Sequence, residues 1–429
     1  MKKRNFKIIA IAVILLALIF SFSVFSYVSA DNQNTQDESA EQNEIKTENN
    51  EDFFQKFIKS VGILQITFPQ IIMILIGLAL MFLAIAKKYE PMLLLPLAFG
   101  IIIANLPVVG LSAYDDGKLM NFLYQGISRV IYPPLIFLCI GTMTDFAPLI
   151  ASPKSALIGL GGQLGIFVAF GICLLLGNIF PELNFGFAEA AATGIIGSSD
   201  GPTSIFAAIK LAPELLASIS IAAFSYMALV PFIQPPIMKL LTTKKERVIV
   251  MAEPKKVTQR QKIIFPIAMA VIILLLIPAA GALVAMLMLG NLLRECGVTK
   301  RYVQSLQDTA LNVLTLLVAL SIGSSATAEY FLTPKTLIII AVGLLAFAFG
   351  TVGGILVAKL LCLITGGKIN PLIGNSGVSA MPMAARISQR MGQKYNPQNH
   401  LLMHAMGPIV SSTIGSALIA GIFIALFSQ

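Results

Sequence analysis

A chain of 429 residues with 56% hydrophobic side chains and only 12% charged ones, about 64% apolar once glycine is added, cannot cover itself with solvated surface, which excludes a soluble globular fold. Its net charge of +9 comes from Lys and Arg set in short blocks between apolar runs. That pattern orients a chain in a membrane and excludes a basic face built for nucleic acid. Cys139, Cys173, Cys296 and Cys362 lie far apart without a CxxC spacing, so neither a disulfide framework nor a zinc site is expected.

The chain opens with Lys2, Lys3, Arg4 and Lys7, an apolar run from Ile8 to Val28, and Val28-Ser29-Ala30. This reads as a signal peptide over residues 1–30, or an uncleaved signal anchor, since the run exceeds the usual length of 7 to 15 residues. Residues 31–60 open with eight acids between Asp31 and Asp52 and are expected to form a disordered exterior tail. A transmembrane domain is then expected over 61–429. Apolar runs of membrane length recur from Ile66 to Ala86, Met92 to Val109, Val130 to Met143, Ala156 to Ile179 and Leu215 to Met238. They continue at Ile263 to Leu289, Leu311 to Ile322, Leu337 to Leu363 and Leu401 to Phe427. Runs of this length predict helices, about ten crossings, where a membrane barrel would alternate in segments of about ten residues. Two halves, about 61–240 and 263–429, flank loop 242–262, whose seven basic and two acidic residues assign it to the cytoplasm of a bacterial cell and the acidic tail to the exterior.

Two stretches interrupt the apolar pattern: Thr193 to Phe206, with Gly197-Ser-Ser-Asp-Gly-Pro-Thr203, and Asn370 to Arg386, with Gly374-Asn-Ser-Gly-Val-Ser379. Aligned without gaps, Ile196–Ala208 and Ile373–Ala385 agree at five of thirteen positions, consistent with a two-fold inverted repeat. Unwound backbone is tolerated at membrane depth only where it lines a polar cavity, and paired interruptions in two halves point to a transport site.

Asp200 is the only acid in either interruption. With freed carbonyls and the hydroxyls of Ser198, Ser199 and Thr203 it offers the hard oxygens that Na⁺ seeks, and as the residue before Gly201-Pro202 it also fits a helix N-cap. The second interruption brings the oxygens of Asn370, Asn375, Ser376 and Ser379 and ends in Arg386, a partner for an anionic substrate or a snorkelling interfacial residue. Tyr226 lies on the helix between them, as a proton donor or as packing. Asp145, at a helix end, is either a cap or a functional acid. His400 and His404, spaced i, i+4 without a third ligand nearby, fit an interfacial role better than a metal. No P-loop, dinucleotide fingerprint or nucleophile elbow occurs.

Gly197-Ser-Ser-Asp-Gly-Pro-Thr203, Asn370-Pro-Leu-Ile-Gly374, Gly377-Val-Ser-Ala380 through Arg386, Met143-Thr-Asp-Phe146 and His404-Ala-Met-Gly-Pro408 together resemble the beta subunits of sodium-pumping, biotin-dependent decarboxylases acting on oxaloacetate, methylmalonyl-CoA or glutaconyl-CoA. The resemblance runs from about Ser60 to the C-terminus. It implies a subunit that receives carboxybiotin from a partner, releases CO₂, exports Na⁺ and consumes a proton. It further implies an elevator-like, trimeric bundle working with a biotin-carrying carboxyltransferase alpha subunit and a small gamma or delta membrane subunit. Asp200 matches the family's sodium-binding aspartate. Asn370, Gly374 and Ser379 match its second broken segment, and Tyr226 and Arg386 its functional tyrosine and arginine. The expected Na⁺ ligands are thus Asp200, Ser199, Thr203, Asn370, Gly374, Asn375 and Ser379; Tyr226, Arg386 and Ser379 are the expected catalytic residues, with Arg386 and Asn370 facing carboxybiotin. One departure stands at Ile409, where the family leads one to expect asparagine, so that Ser411, Ser412 or Thr413 would have to supply the missing oxygen. From the residues alone, the competing reading is a Na⁺-coupled carrier of a small carboxylate.

Overall fold

The computed structural model describes residues 59–428 apart from 89, 254, 381 and 382. The expected signal segment and nearly all of the acidic tail lie outside these residues. The chain divides into an N-terminal unit, 1–65, whose described part holds one 3₁₀ turn, Gly62–Leu64, and a large unit over 66–429. Among the described residues every regular element is helical.

The longer helices are α1 (Phe68–Ala86), α2 (Pro91–Ala104), α3 (Leu119–Ser128), α4 (Tyr132–Met143), α5 (Ala156–Gly162), α6 (Leu164–Ile179), α7 (Phe187–Gly194) and α8 (Gly201–Leu211). After them come α9 (Leu216–Leu241), α10 (Gln259–Leu276), α11 (Gly281–Glu295), α12 (Leu311–Ser325), α13 (Pro334–Ile364), α14 (Met383–Tyr395) and α15 (Leu402–Phe427). Six helical stretches among the described residues are long and apolar enough to cross a membrane, or up to eight if each of two bent pairs counts as one span. One bend, of 66°, separates α3 from α4, where Val130 takes a left-handed φ of 60°. The other, of 62°, divides α9 between Tyr226 and Leu229, just ahead of Pro231, whose ring removes a helical N–H.

Two helix pairs cross at glycine contacts. A Cβ on Gly100 of α2 would stand 2.5 Å from the Leu320 carbonyl of α12, and one on Gly141 of α4 would stand 2.2 Å from the Leu287 carbonyl of α11. Small residues allow such close approach, which matters where lipid offers no hydrophobic drive for helices to associate. A buried asparagine seals each crossing: Asn105 donates to the Ala326 carbonyl at 2.9 Å and Asn291 to the Thr144 carbonyl at 2.7 Å. The entries to α1 and α10 also match, with the Thr67 and Thr258 backbone N–H groups held by Gln70 and Gln261 three residues on. Elsewhere in this unit α13 packs against α5, α6, α9 and the second interruption, and α15 against α5 and α8. The stretches 193–206 and 370–380 of the two interruptions are buried.

Candidate functional site

The first interruption folds as a 3₁₀ turn, Ile195–Ser198, followed by Ser199 with a left-handed φ of 56°, before α8 begins at Gly201. A serine rarely takes that conformation without a reason, and such residues gather at functional sites. The turn aims Asp200 into the protein as the N-cap of α8, 5% exposed, with Thr203 N–H donating to Oδ1 at 3.4 Å. Ser416 of α15 donates to Oδ2 at 2.8 Å. Among the described residues, no Lys, Arg or His lies within ion-pair distance of this carboxylate. A buried charge needs a countercharge.

The second interruption is a longer 3₁₀ stretch, Pro371–Gly377, then extended backbone at Val378. It meets the first through one backbone bond, Ser379 N–H to the Ser198 carbonyl at 2.9 Å. That contact needs bare backbone beneath it: a Cβ on Gly162, the last residue of α5, would lie 1.7 Å from the Gly377 oxygen. The Ser379 hydroxyl donates to Ser412 Oγ at 3.1 Å, and Gln163 Nε2 donates to the same oxygen at 2.9 Å. Gln163 Oε1, Ser199 Oγ and Thr203 Oγ1 are buried with no hydrogen-bond partner. One carboxylate and several unsatisfied neutral oxygens form the donor set of a hard cation and fit Na⁺.

The structure thus joins Ser379 to the segment that carries Ser199, Asp200 and Thr203, while the side chains of the other expected residues make their bonds elsewhere. Asn370 Oδ1 accepts from Leu372 N–H at 2.9 Å, and its Nδ2 donates to the Arg247 and Ile249 carbonyls at 3.2 and 2.8 Å. Asn375 exchanges bonds of 2.9 Å with Gln234 and donates to the Ala384 carbonyl at 2.9 Å, while Ser388 donates to its Oδ1. Gly374 lies backbone to backbone against α13, where a Cβ would meet Ile355 Cα at 2.5 Å. Tyr226, at the bend of α9, donates to the Ile340 carbonyl of α13. Arg386 is exposed on α14.

Asp145 acts as a cap, accepting from Ala147 N–H at 2.9 Å, and lies 3.9 Å from the Lys262 ammonium. His400 precedes the first turn of α15, so it and His404 do not share a helix face, and the described residues hold no cluster suited to a transition metal. Ile409 is fully buried in an apolar cluster with Ile158, Ile373 and Val378. Two site residues, Gln163 and Ser416, escaped the sequence reading. Their signal was present: an amide deep inside the apolar run 156–179, and Ser412 and Ser416 spaced i, i+4 on an apolar helix.

Residues 69–427 match the family model described as the Na⁺-transporting oxaloacetate decarboxylase beta subunit. The chain is 52% identical to the methylmalonyl-CoA decarboxylase subunit beta of Veillonella parvula, over 87% of this chain and 98% of that protein. It is 49% identical to the glutaconyl-CoA decarboxylase subunit beta of Acidaminococcus fermentans, over 86% and 96%. With the oxaloacetate decarboxylase beta chain of Klebsiella pneumoniae the identity is 42%, over 86% and 97%.

Proposed function

Since this chain belongs to the family of Na⁺-transporting decarboxylase beta subunits, we propose that Asp200 binds the transported Na⁺ with oxygens of Ser199, Thr203 and Ser379, and that Gln163 and Ser412 complete the shell. The chain is a membrane-embedded enzyme component working in a complex with other subunits, and its membership disfavours a stand-alone carboxylate carrier. The observation carrying the site assignment is Asp200 itself, buried beside unsatisfied oxygens with no cationic side chain of the described residues within ion-pair distance. A carboxylate there is tolerable only when a cation joins it.

The substrate is carboxybiotin presented by a partner carrying biotin and carboxyltransferase activity. Its N–CO₂⁻ bond breaks to release CO₂, and the ureido nitrogen takes up one proton, so each turnover consumes H⁺. Tyr226, at the bend of α9, is suited to relay that proton, and exposed Arg386 to face the carrier. Asn370, Asn375 and Gly374 serve the site by holding the second interruption rather than through side-chain oxygens turned toward Asp200. The acyl substrate belongs to the partner subunit.

The crossed pairs α2–α12 and α4–α11, with the matched caps of α1 and α10, support an inverted repeat of halves 61–240 and 263–429. In that architecture the glycine-crossed helices form a scaffold, and the body bearing both interruptions moves against it as an elevator. About ten crossings, loop 242–262 in the cytoplasm, a signal segment over 1–30 and an exterior tail over 31–60 complete the reading. A trimer with a small gamma or delta subunit is the assembly it implies.

Asp200→Asn tests the assignment by keeping shape and removing charge. The variant should remain in the membrane with its biotin partner, but carboxybiotin should persist and Na⁺ uptake into inverted vesicles should cease. Retention of Na⁺-stimulated decarboxylation at the wild-type rate would make Asp200 a helix cap and nothing more.

A further inference from the structure

A cavity of about 700 Å³ opens where the start of α1, the end of α2 and the turn after α12 come together. Its charged lining residues are two acids, Asp115 and Glu329, and no Lys, Arg or His of the described residues lines it. Neither acid forms an ion pair with another described residue. The Na⁺ site uses none of these groups.

Its walls are preformed. On one side Ala113 N–H donates to the Ser324 carbonyl at 3.0 Å and the Ala113 carbonyl accepts from Asn121 at 2.9 Å, which ties the loop after α2 to α12 and α3. Within that loop Ser112 N–H donates to Asp115 Oδ2 at 2.7 Å and Tyr114 N–H to Ser112 Oγ at 3.2 Å. On the other side Asn105 Oδ1 accepts from Ala328 N–H at 2.8 Å, fixing the short helix Ala328–Phe331 that carries Glu329 and Tyr330. The two sides meet where the Tyr114 and Tyr330 rings pack with centroids 4.5 Å apart. A site built before its ligand arrives loses less free energy to ordering.

What these walls offer is attraction for positive charge, from two carboxylates and from two tyrosine rings that remain 42% and 48% exposed. Thr327 Oγ1, also in the lining, is buried with no hydrogen-bond partner, and a ligand bearing N–H groups would satisfy it. A small metal cation would use the carboxylates and leave the rings idle. A quaternary ammonium would use the rings but brings no N–H for Thr327. An alkylammonium answers all three. The carboxylates stand on different elements, the volume falls within the roughly 300–1,000 Å³ of small-molecule pockets, and Pro69, Ile72 and Leu332 supply apolar surface for methylene groups. We infer that this cavity binds a linear aliphatic polyamine, with its ammonium groups on Asp115 and Glu329 and its chain across the tyrosine rings.

The test is equilibrium dialysis of the purified complex against radiolabelled spermidine, which wild type should bind saturably. Asp115→Asn combined with Glu329→Gln removes both charges while the new amide oxygen still accepts from Ser112 N–H, and should weaken that binding at least ten-fold. Tyr330→Leu, which leaves both acids in place, should weaken it about three-fold. An occupant joins the ends of three helices, so spermidine should also raise the melting temperature of wild type and leave that of the double variant unmoved. Choline chloride at equal ionic strength should neither displace the label nor raise the melt. Absence of saturable binding, wild-type affinity in the double variant, or equal displacement by choline would each overturn the inference.

Discussion

Gly162→Ala probes the joint between the two interruptions without touching any group assigned to Na⁺. The added methyl would lie 1.7 Å from the Gly377 carbonyl oxygen, and since such contacts essentially never fall below 3.0 Å, the backbones must part by at least 1.3 Å. Gly377 is two residues from Ser379, whose N–H reaches the Ser198 carbonyl across 2.9 Å. Opened by the same amount, that bond would stretch to about 4.2 Å, beyond hydrogen-bond range. Overpacking of this kind costs about 1–3 kcal/mol of stability. Withdrawal of Ser379 from its neighbours removes one or two kcal/mol of binding, a factor of about 5–30 in Na⁺ half-saturation. The assay is Na⁺-stimulated decarboxylation by the purified complex against Na⁺ concentration, paired with a thermal melt in detergent. Gly171→Ala is the control: it lies within α6 with nothing within 4 Å of the new methyl, and should be neutral or slightly stabilising. If Gly162→Ala shows wild-type Na⁺ half-saturation and melting, the close crossing does not hold the two segments together.

Ser416→Ala removes the 2.8 Å donor to Asp200; a hydrogen bond to a charged group is worth about 1.5–3 kcal/mol, so Na⁺ half-saturation measured by the same assay should rise about ten-fold or more. Ile409→Asn sets an amide into a fully buried apolar cluster and should cost about 2–5 kcal/mol of stability; a melt unchanged from wild type, or a tighter Na⁺ dependence, would restore position 409 as a ligand site. Glu246 is pushed up by burial, but this is outweighed by bonds from the Thr243 backbone and hydroxyl and by the Lys359 ammonium at 3.6 Å, which hold its carboxyl below the usual range. A depressed carboxyl adds stability above its unfolded pKa and loses it as pH falls through the folded one. Wild type should therefore melt above Glu246→Gln at neutral pH, and the gap should close as the medium is acidified below the carboxylate range; a gap constant with pH would show that the charge is idle.

Much of this fold was legible because lipid permits few solutions. Uninterrupted apolar runs such as 337–363 become single helices, here Pro334–Ile364, since only internal hydrogen bonds satisfy the backbone in hydrocarbon. The two broken segments stand out by violating that rule, which is why composition alone singled out Asp200 and Ser379, both of which the structure buries. Gln163 and Ser416 carried a weaker signal, because a polar residue within an apolar run looks the same whether it faces lipid or a site. Their meaning depends on which helices become neighbours, and Gln163 meets Ser412 across 249 positions of sequence. Asn370 shows the opposite case. An amide in a broken segment looks like an ion ligand, yet its oxygen caps its own turn and its nitrogen secures a distant loop.

The bond between Ser416 and Asp200 spans 216 residues, and that separation has a consequence for biogenesis. Membrane helices enter the bilayer in the order they are synthesised, so Asp200 arrives long before α15 exists to receive it. Until α15 is threaded, the carboxylate lacks its serine donor. A nascent or prematurely terminated chain carries a naked acid among lipid tails, a defect that membrane quality control is suited to detect. α15 is the helix that covers that acid, so the carboxylate proposed to bind Na⁺ also marks every copy that lacks α15 for removal.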